Sequence, residues 1–199
     1  MDKNFIDMIK MRRSRYELTN TSPLSEEQIN ELVEQVVQHV PSAFHSESAR
    51  AVILFQEAHH QLWDITTQTL KTIVPANKFA GTQKKMNAFD QAYGTILFFE
   101  DQAVVSGLQK DFPLYKEVFP VWSNQSAGMV QFAVWTALAE AGLGASLQHY
   151  NPLIDEAVKK RFVLPAEWKL MAQMPFGKAT APDEDKTFQD IKTRVFVKK

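Results

Sequence analysis

The chain has no cysteine among its 199 residues, which removes disulfides, thiolate nucleophiles and zinc–thiolate sites. It has no apolar run long enough to span a bilayer. Its first residues, MDKNFIDMIKMRR, lack the apolar core and small-residue cleavage site of a secretory signal. It also lacks charge of one sign. With 22 Lys and Arg against 23 Asp and Glu, the formal net charge is -1, so there is no global pull toward nucleic acid or acidic lipid. The basic residues are scattered, without RNP-type aromatics beside them. A soluble cytosolic protein is expected, with no nucleic-acid and no membrane partner.

Catalytic and nucleotide motifs are missing as well. Gly142-Leu143-Gly144 is a fragment of GxGxxG that follows a helix, against a Rossmann fold. There is no GxxxxGK[ST] loop and no GxSxG elbow. His45-Ser46-Glu47 and Glu57 with His59-His60 lack HExxH order, so no metal site is expected. His149 near Ser146 has no evident orienting acid for a serine triad.

What is present is ordinary globular composition, 45% hydrophobic and 23% charged, enough for one domain over residues 1–199. The chain is organised around Ser123 to Tyr150. Met129, Val130, Phe132, Ala133, Val134, Trp135, Ala137, Leu138 and Ala139 make a helix apolar nearly all round, the signature of a buried central helix. Ser123 is its expected N-cap, and Gly142 and Gly144 let it stop and turn. The exit segment, Ala145 to Tyr150, is either the ordinary end of a core helix or a polar stretch delivered to a ligand.

Before it, a short helix from Asn4 to Arg13, with Phe5, Ile6 and Ile9 inward, runs into Arg12-Arg13-Ser14-Arg15. That cluster reads either as a solvated basic patch or as an anion site. Ser25 and Gln28 have capping-box spacing, and Leu24 with Ile29 makes a hydrophobic staple for a helix that Pro41 stops. Pro41 to Ser48 is a hydroxyl-rich loop, a plain connector or a set of donors to a bound polar molecule. Ala51 to Phe55 is an expected strand, Glu57 to Val74 a helix, and Ala76 to Ala92 weakly helical. Thr95 to Phe99 is continuous apolar, as in a buried central strand.

Asp101 to Lys110 and Pro113 to Phe119 read as short helices. Asn151-Pro152 should cap a helix with proline at its first position, burying Leu153, Ile154, Ala157, Val158 and Phe162. Trp168 to Phe176 is a strand. A Pro-, Ala- and acid-rich tail, Gly177 to Lys186, leads to a helical turn within Phe188 to Lys192. Arg194 to Val197 alternates like a strand in need of a sheet, its own or a partner's. The class is α+β, helices around a central mixed sheet.

Four segments in this order resemble the nitroreductase family of FMN-dependent oxidoreductases over essentially the whole chain. They are Arg12-Arg13-Ser14, Pro41 to Ser48, the long helix with Gly-Leu-Gly and its exit loop, and Lys192-Thr193-Arg194. The likeness is strongest to its small fungal fatty-acid-regulation and short bacterial members. It implies an obligate homodimer with FMN at the subunit interface and a C-terminal strand exchanged between subunits. By position, Arg12, Lys192 and Arg194 would neutralise the FMN phosphate, with Arg13 and Ser14 touching phosphate, ribityl chain or ring edge. Pro41, Ser42, Ala43, Phe44, His45 and Ser46 would approach from the partner subunit. Ser146, Leu147, Gln148 and His149 would line the isoalloxazine ring, their backbone N–H groups acting on it as an oxyanion hole does, and Asn87 would meet its pyrimidine edge.

The implied activity is a ping-pong cycle of hydride transfer: NADH or NADPH reduces the flavin, and a nitroaromatic or quinone is then reduced on the same face. No side chain is required as nucleophile, and His149 can lend a proton. The alternative is a flavin-binding regulatory or stress protein of the same fold with little turnover. Two departures bear on that choice. His45-Ser46-Glu47 stands where the family commonly has Asn-Ser-Gln, and Leu147-Gln148-His149 replaces a proline-and-acid loop.

Overall fold

The computed structural model describes residues 4–181 and 185–199. Helix α1 (Phe5–Met11) leads to strand β1 (Leu18–Thr19) and helix α2 (Glu26–His39). Strand β2 (Ala49–Phe55), helices α3 (Gln56–Lys71) and α4 (Phe79–Asp90), strand β3 (Gly94–Asp101) and helix α5 (Gln102–Asp111) follow. The long helix α6 (Phe119–Glu140), strand β4 (Gly144–Ala145), helix α7 (Asp155–Phe162) and strand β5 (Trp168–Ala179) complete the order.

The sheet runs β1-β5-β3-β2, with β4 also on β5, and every pairing between these strands is antiparallel. A parallel bridge joins Ser14 to Ala145. Strand β3 has a neighbour on each side and helices over both faces, so Gly94 to Glu100 is buried throughout. Its period-two side chains divide the core. Ile96 and Phe98 pack with Ile29 and Val33 of α2 and Val130, Val134 and Leu138 of α6. Leu97 and Phe99 pack on the other face with Leu62 and Trp63 of α3, Met86 and Phe89 of α4, and Ile154 and Val158. The continuous apolar run is thus explained by burial on both faces.

The start of α2 forms as its spacing predicts: the Gln28 N–H donates to Ser25 Oγ at 3.2 Å, and the Ser25 N–H donates to Gln28 Oε1 at 2.9 Å. Elsewhere the chain departs from expectation. Helix α6 begins at Phe119, four residues before Ser123, because Pro120 sits in the first turn, where a missing N–H leaves no bond unmade. Ser123 is therefore inside the helix and not its cap. Pro113 to Phe119 forms one 3-10 turn, Pro113–Tyr115. Asn151–Pro152 is a cis bond within a turn, and α7 starts at Asp155; Leu153 is exposed while Ile154 and Val158 are buried.

In α1, Met8 is buried, whereas Phe5 and Ile6 are exposed. Helix α6 is not apolar-buried all round either: Val121, Met129 and Phe132 are exposed. Among the described residues Arg194 to Val197 pairs with no strand, and Val195, Phe196 and Val197 are exposed. Of the expected acid-rich tail, Pro182, Asp183 and Glu184 lie outside the described residues.

Candidate functional site

The exit from α6 places two of the candidate segments side by side. The Arg15 N–H donates to the Ala145 carbonyl at 2.9 Å, next to the Ser14–Ala145 bridge. Trp135 donates from Nε1 to the same carbonyl at 3.2 Å. Space at this seam is tight. A Cβ on Gly144 would come within 3.0 Å of the Arg15 Cβ and 2.9 Å of the Ala179 Cβ, so a side chain there would force the segments apart.

Beyond the seam, the exit segment runs along β5 with strand-like alternation. Ser146 N–H donates to the Pro175 carbonyl at 3.3 Å, and Gln148 N–H to the Gln173 carbonyl at 2.7 Å. Both side chains are buried, with Gln148 Nε2 donating to Ser146 Oγ at 3.1 Å. Leu147 is half-buried and His149 exposed. Their N–H groups make no hydrogen bond among the described residues. Of the four expected ring-lining residues, these two leave backbone donors for a ligand.

Arg12 lies over Trp135, its guanidinium carbon 4.3 Å from the ring centre. Its Nε is buried and has no hydrogen-bond partner among the described residues. Burial, and then the adjacent Arg13 charge, lower its pKa from the ordinary guanidinium value. A half-buried cation with an orphan donor, beside a second cation, fits an anion better than it fits open solvent. Trp135 is the residue the sequence reading missed here, because its indole was counted as core.

The Pro41 to Ser48 loop is preformed elsewhere on α6. Phe44, His45 and Glu47 hold positive φ of 56, 51 and 47°. The Glu47 N–H donates to Ser42 Oγ at 2.9 Å, and Arg50 Nη1 donates to the Glu47 carbonyl at 2.5 Å. The exposed Glu47 carboxylate is 3.5 Å from His45 Nε2. Phe44 stacks on Trp122 at 6.0 Å and meets Phe112 at 5.0 Å and Phe119 at 5.3 Å. A recess of about 350 Å³ opens between Ala43, Phe44, Trp122, Gln125, Ser126 and Met129.

Within one chain the two halves do not meet. Trp122, under the loop, and Trp135, under Arg12, are 13 residues apart on α6, about 20 Å of helix rise. Lys192 and Arg194 are exposed, and the hydrogen bonds around them stay within the Asp190 to Val195 turn. Asn87 lies on α4 in a groove of about 330 Å³ with His60, Trp63, Gln83 and Asp90, which none of the other candidates lines.

Among the described residues, His59, His60 and Asp90 are the His, Asp or Glu side chains close enough to share an ion. Both His59 ring nitrogens are already engaged, Nε2 with the Asp90 carbonyl at 3.1 Å and Nδ1 with Thr95 Oγ1 at 2.9 Å. The cluster reads as structural. No helix among the described residues is long and apolar enough to cross a membrane.

A family model described as the nitroreductase family matches residues 9–178. The nitroreductase FRM2 of Saccharomyces cerevisiae is 33% identical over 187 residues, 93% of each chain. The solved structure of the nitroreductase CinD from Lactococcus lactis with nicotinic acid is 47% identical, with a TM-score of 0.92 over 98% of this chain and 100% of that one. CinD has also been solved with 4-nitrophenol. An FMN complex from Exiguobacterium sibiricum, 12% identical, has a TM-score of 0.73 over 100% of this chain and 99% of that one, a likeness of fold.

Proposed function

The chain belongs to the nitroreductase family, and from that we propose that it is an FMN-dependent oxidoreductase using NADH or NADPH to reduce nitroaromatics or quinones as a cytoplasmic homodimer. The observation that carries the reading is the orphan Nε of Arg12, buried over Trp135 at the seam between the N-terminal segment and the exit loop. Bound FMN supplies two-electron chemistry between reduced nicotinamide and an electron-poor acceptor.

The protein's own residues bind and orient. Arg12 and Arg13 would hold the phosphate by charge-assisted bonds, each worth about 1.5–3 kcal/mol, with Lys192 and Arg194 adding charge and Ser14 a hydroxyl. Trp135 keeps the Arg12 plane in place. The N–H groups of Leu147 and His149 would face the ring edge as fixed dipoles that need no reorganisation. Nicotinic acid and 4-nitrophenol, found on CinD, are flat aromatic molecules of the kind that the Phe44–Trp122 recess would suit, an apolar aromatic wall with Gln125 as a polar contact.

A second copy brings the halves together, since about 20 Å of helix separates them in one chain. The exposed apolar residues of α1 and α6 supply a face for it. Among the described residues strand β2 pairs with β3 on one side only. Beside its other edge a groove of about 490 Å³ is lined by Val33, Val37, Ala51, Ile53 and Phe55, among others. The exposed Val195-Phe196-Val197 of a partner, β-branched and aromatic, would add there as a strand.

The deciding experiment is the absorbance of the freshly purified protein. Flavin bands that bleach under anaerobic NADH or NADPH and return with a quinone support the reading. Flavin that neither nicotinamide reduces would make the protein a flavin-binding regulator. A colourless protein that gains no stability from added FMN would overturn the cofactor.

A further inference from the structure

Glu100, the last residue but one of the central strand, is a fully buried carboxyl for which the proposed function has no use. Its Oε2 accepts from Ser48 Oγ at 2.7 Å and from Ser123 Oγ at 2.5 Å. Its Oε1 is buried without a hydrogen-bond partner. Ser48 closes the 41–48 loop, and its carbonyl also accepts from the Asp101 N–H at 2.9 Å. One side chain of β3 thus ties the end of that loop to the interior of α6.

The loop needs such a tie. Three of its non-glycine residues sit at positive φ, a conformation that L-residues keep only where the surroundings impose it. Phe44 is held at one end by its aromatic socket. We propose that Glu100 is the positioning residue at the other end, clamping Ser48 to Ser123 and so fixing the 41–48 loop on α6.

The two hydroxyl bonds, at 2.7 and 2.5 Å, favour the carboxylate, whereas burial and the unpartnered Oε1 favour the neutral acid. Burial pushes the Glu100 pKa up, against the lowering from the Ser123 and Ser48 bonds and from Arg50, and Asp101 adds to the rise. Arg50 on β2 is engaged with Asp101 at 2.9 Å. Lys169, opposite on β5, is exposed, and α6 carries no charged side chain before Glu140. The loop's contact with flavin rests on the function proposed above, whereas the clamp stands on the geometry alone.

Hydrogen exchange of the full-length protein as purified tests it, through protection factors of the loop amides. Glu100→Gln should keep protection within about twofold, since an amide oxygen accepts both hydroxyls. Glu100→Ala should lose about tenfold throughout.

If Glu100→Ala fails to fold, Ser48→Ala and Ser123→Ala each remove one bond and should each cost about fivefold, confined to the loop. Equal loosening by Gln and Ala overturns the hydroxyl clamp, and unchanged protection in the alanine variants overturns the tie. A clamp that behaves as described in a protein whose flavin no nicotinamide reduces would refute only the proposed activity.

Discussion

The Arg12 guanidinium sits 4.3 Å from the centre of the Trp135 ring with its Nε buried and unpartnered. Stacking requires a planar cation, and a lysine ammonium offers neither the plane nor the fork of donors. Arg12→Lys should therefore raise the FMN dissociation constant about tenfold or more, the worth of one lost charge-assisted bond. Fluorescence titration of the apoprotein measures it; unchanged affinity would remove Arg12 from the phosphate site.

The C-terminal basic residues give a separable test. Lys192→Ala with Arg194→Ala should weaken FMN retention and flatten its dependence on salt, because fewer exposed charges are left to screen. An unaltered salt slope in the double variant argues against these two residues as phosphate partners.

Deleting residues 194–199 removes the exposed apolar segment proposed to lie along β2 of a second copy. Sedimentation should show monomer or aggregate in place of dimer, as an uncovered strand edge is a template for mispairing. A dimer of undiminished stability would place the interface elsewhere.

His59 is buried with both ring nitrogens engaged: the Asp90 carbonyl can only accept, which assigns the proton to Nε2, and Thr95 Oγ1, which accepts from Trp63 Nε1 at 3.0 Å, donates to Nδ1. Burial lowers its pKa from 6.5 to about 4, against the Asp90 carbonyl bond. The unfolded chain then takes up a proton that the native protein refuses. Stability is fully present above the unfolded value of 6.5 and falls as pH drops toward about 4, by on the order of 3 kcal/mol. Denaturant midpoints across that window should show the loss in wild type and a flatter profile in His59→Gln.

Val163 ends α7 in the left-handed region at φ 53°, 90% exposed, with the Leu164 N–H donating to the Lys159 carbonyl at 3.0 Å. Glycine is the usual residue at such an end, and a β-branched side chain there is strained. Val163→Gly should add about 1 kcal/mol and raise Tm by about 2–4 °C in thermal unfolding. A lower Tm would mean that the lost chain stiffness outweighs the relieved strain.

Local chemistry was legible in the amino-acid order. The Ser25–Gln28 capping box and the buried run Thr95 to Phe99 are short-range or period-two signals, and both form as they read. Where two local signals competed, the reading failed: Pro120 starts α6 ahead of Ser123, and Asn151-Pro152 makes a turn in place of a helix start. The arginine cluster was visible as charge, but sequence left it undecided between a solvated patch and an anion site.

The chain order by itself determined the helices, the central strand and the set of candidate segments, because capping, periodicity and resemblance all act along the chain. Only the tertiary structure put Arg12 on Trp135, joined Ser14 to Ala145, turned Leu147 and His149 into the residues with unclaimed N–H groups, and set Glu100 between Ser48 and Ser123. Those pairings link residues up to 131 positions apart. What fixes them is burial and hydrogen-bond satisfaction in a packed interior, and no local pattern encodes which distant group will supply the missing partner.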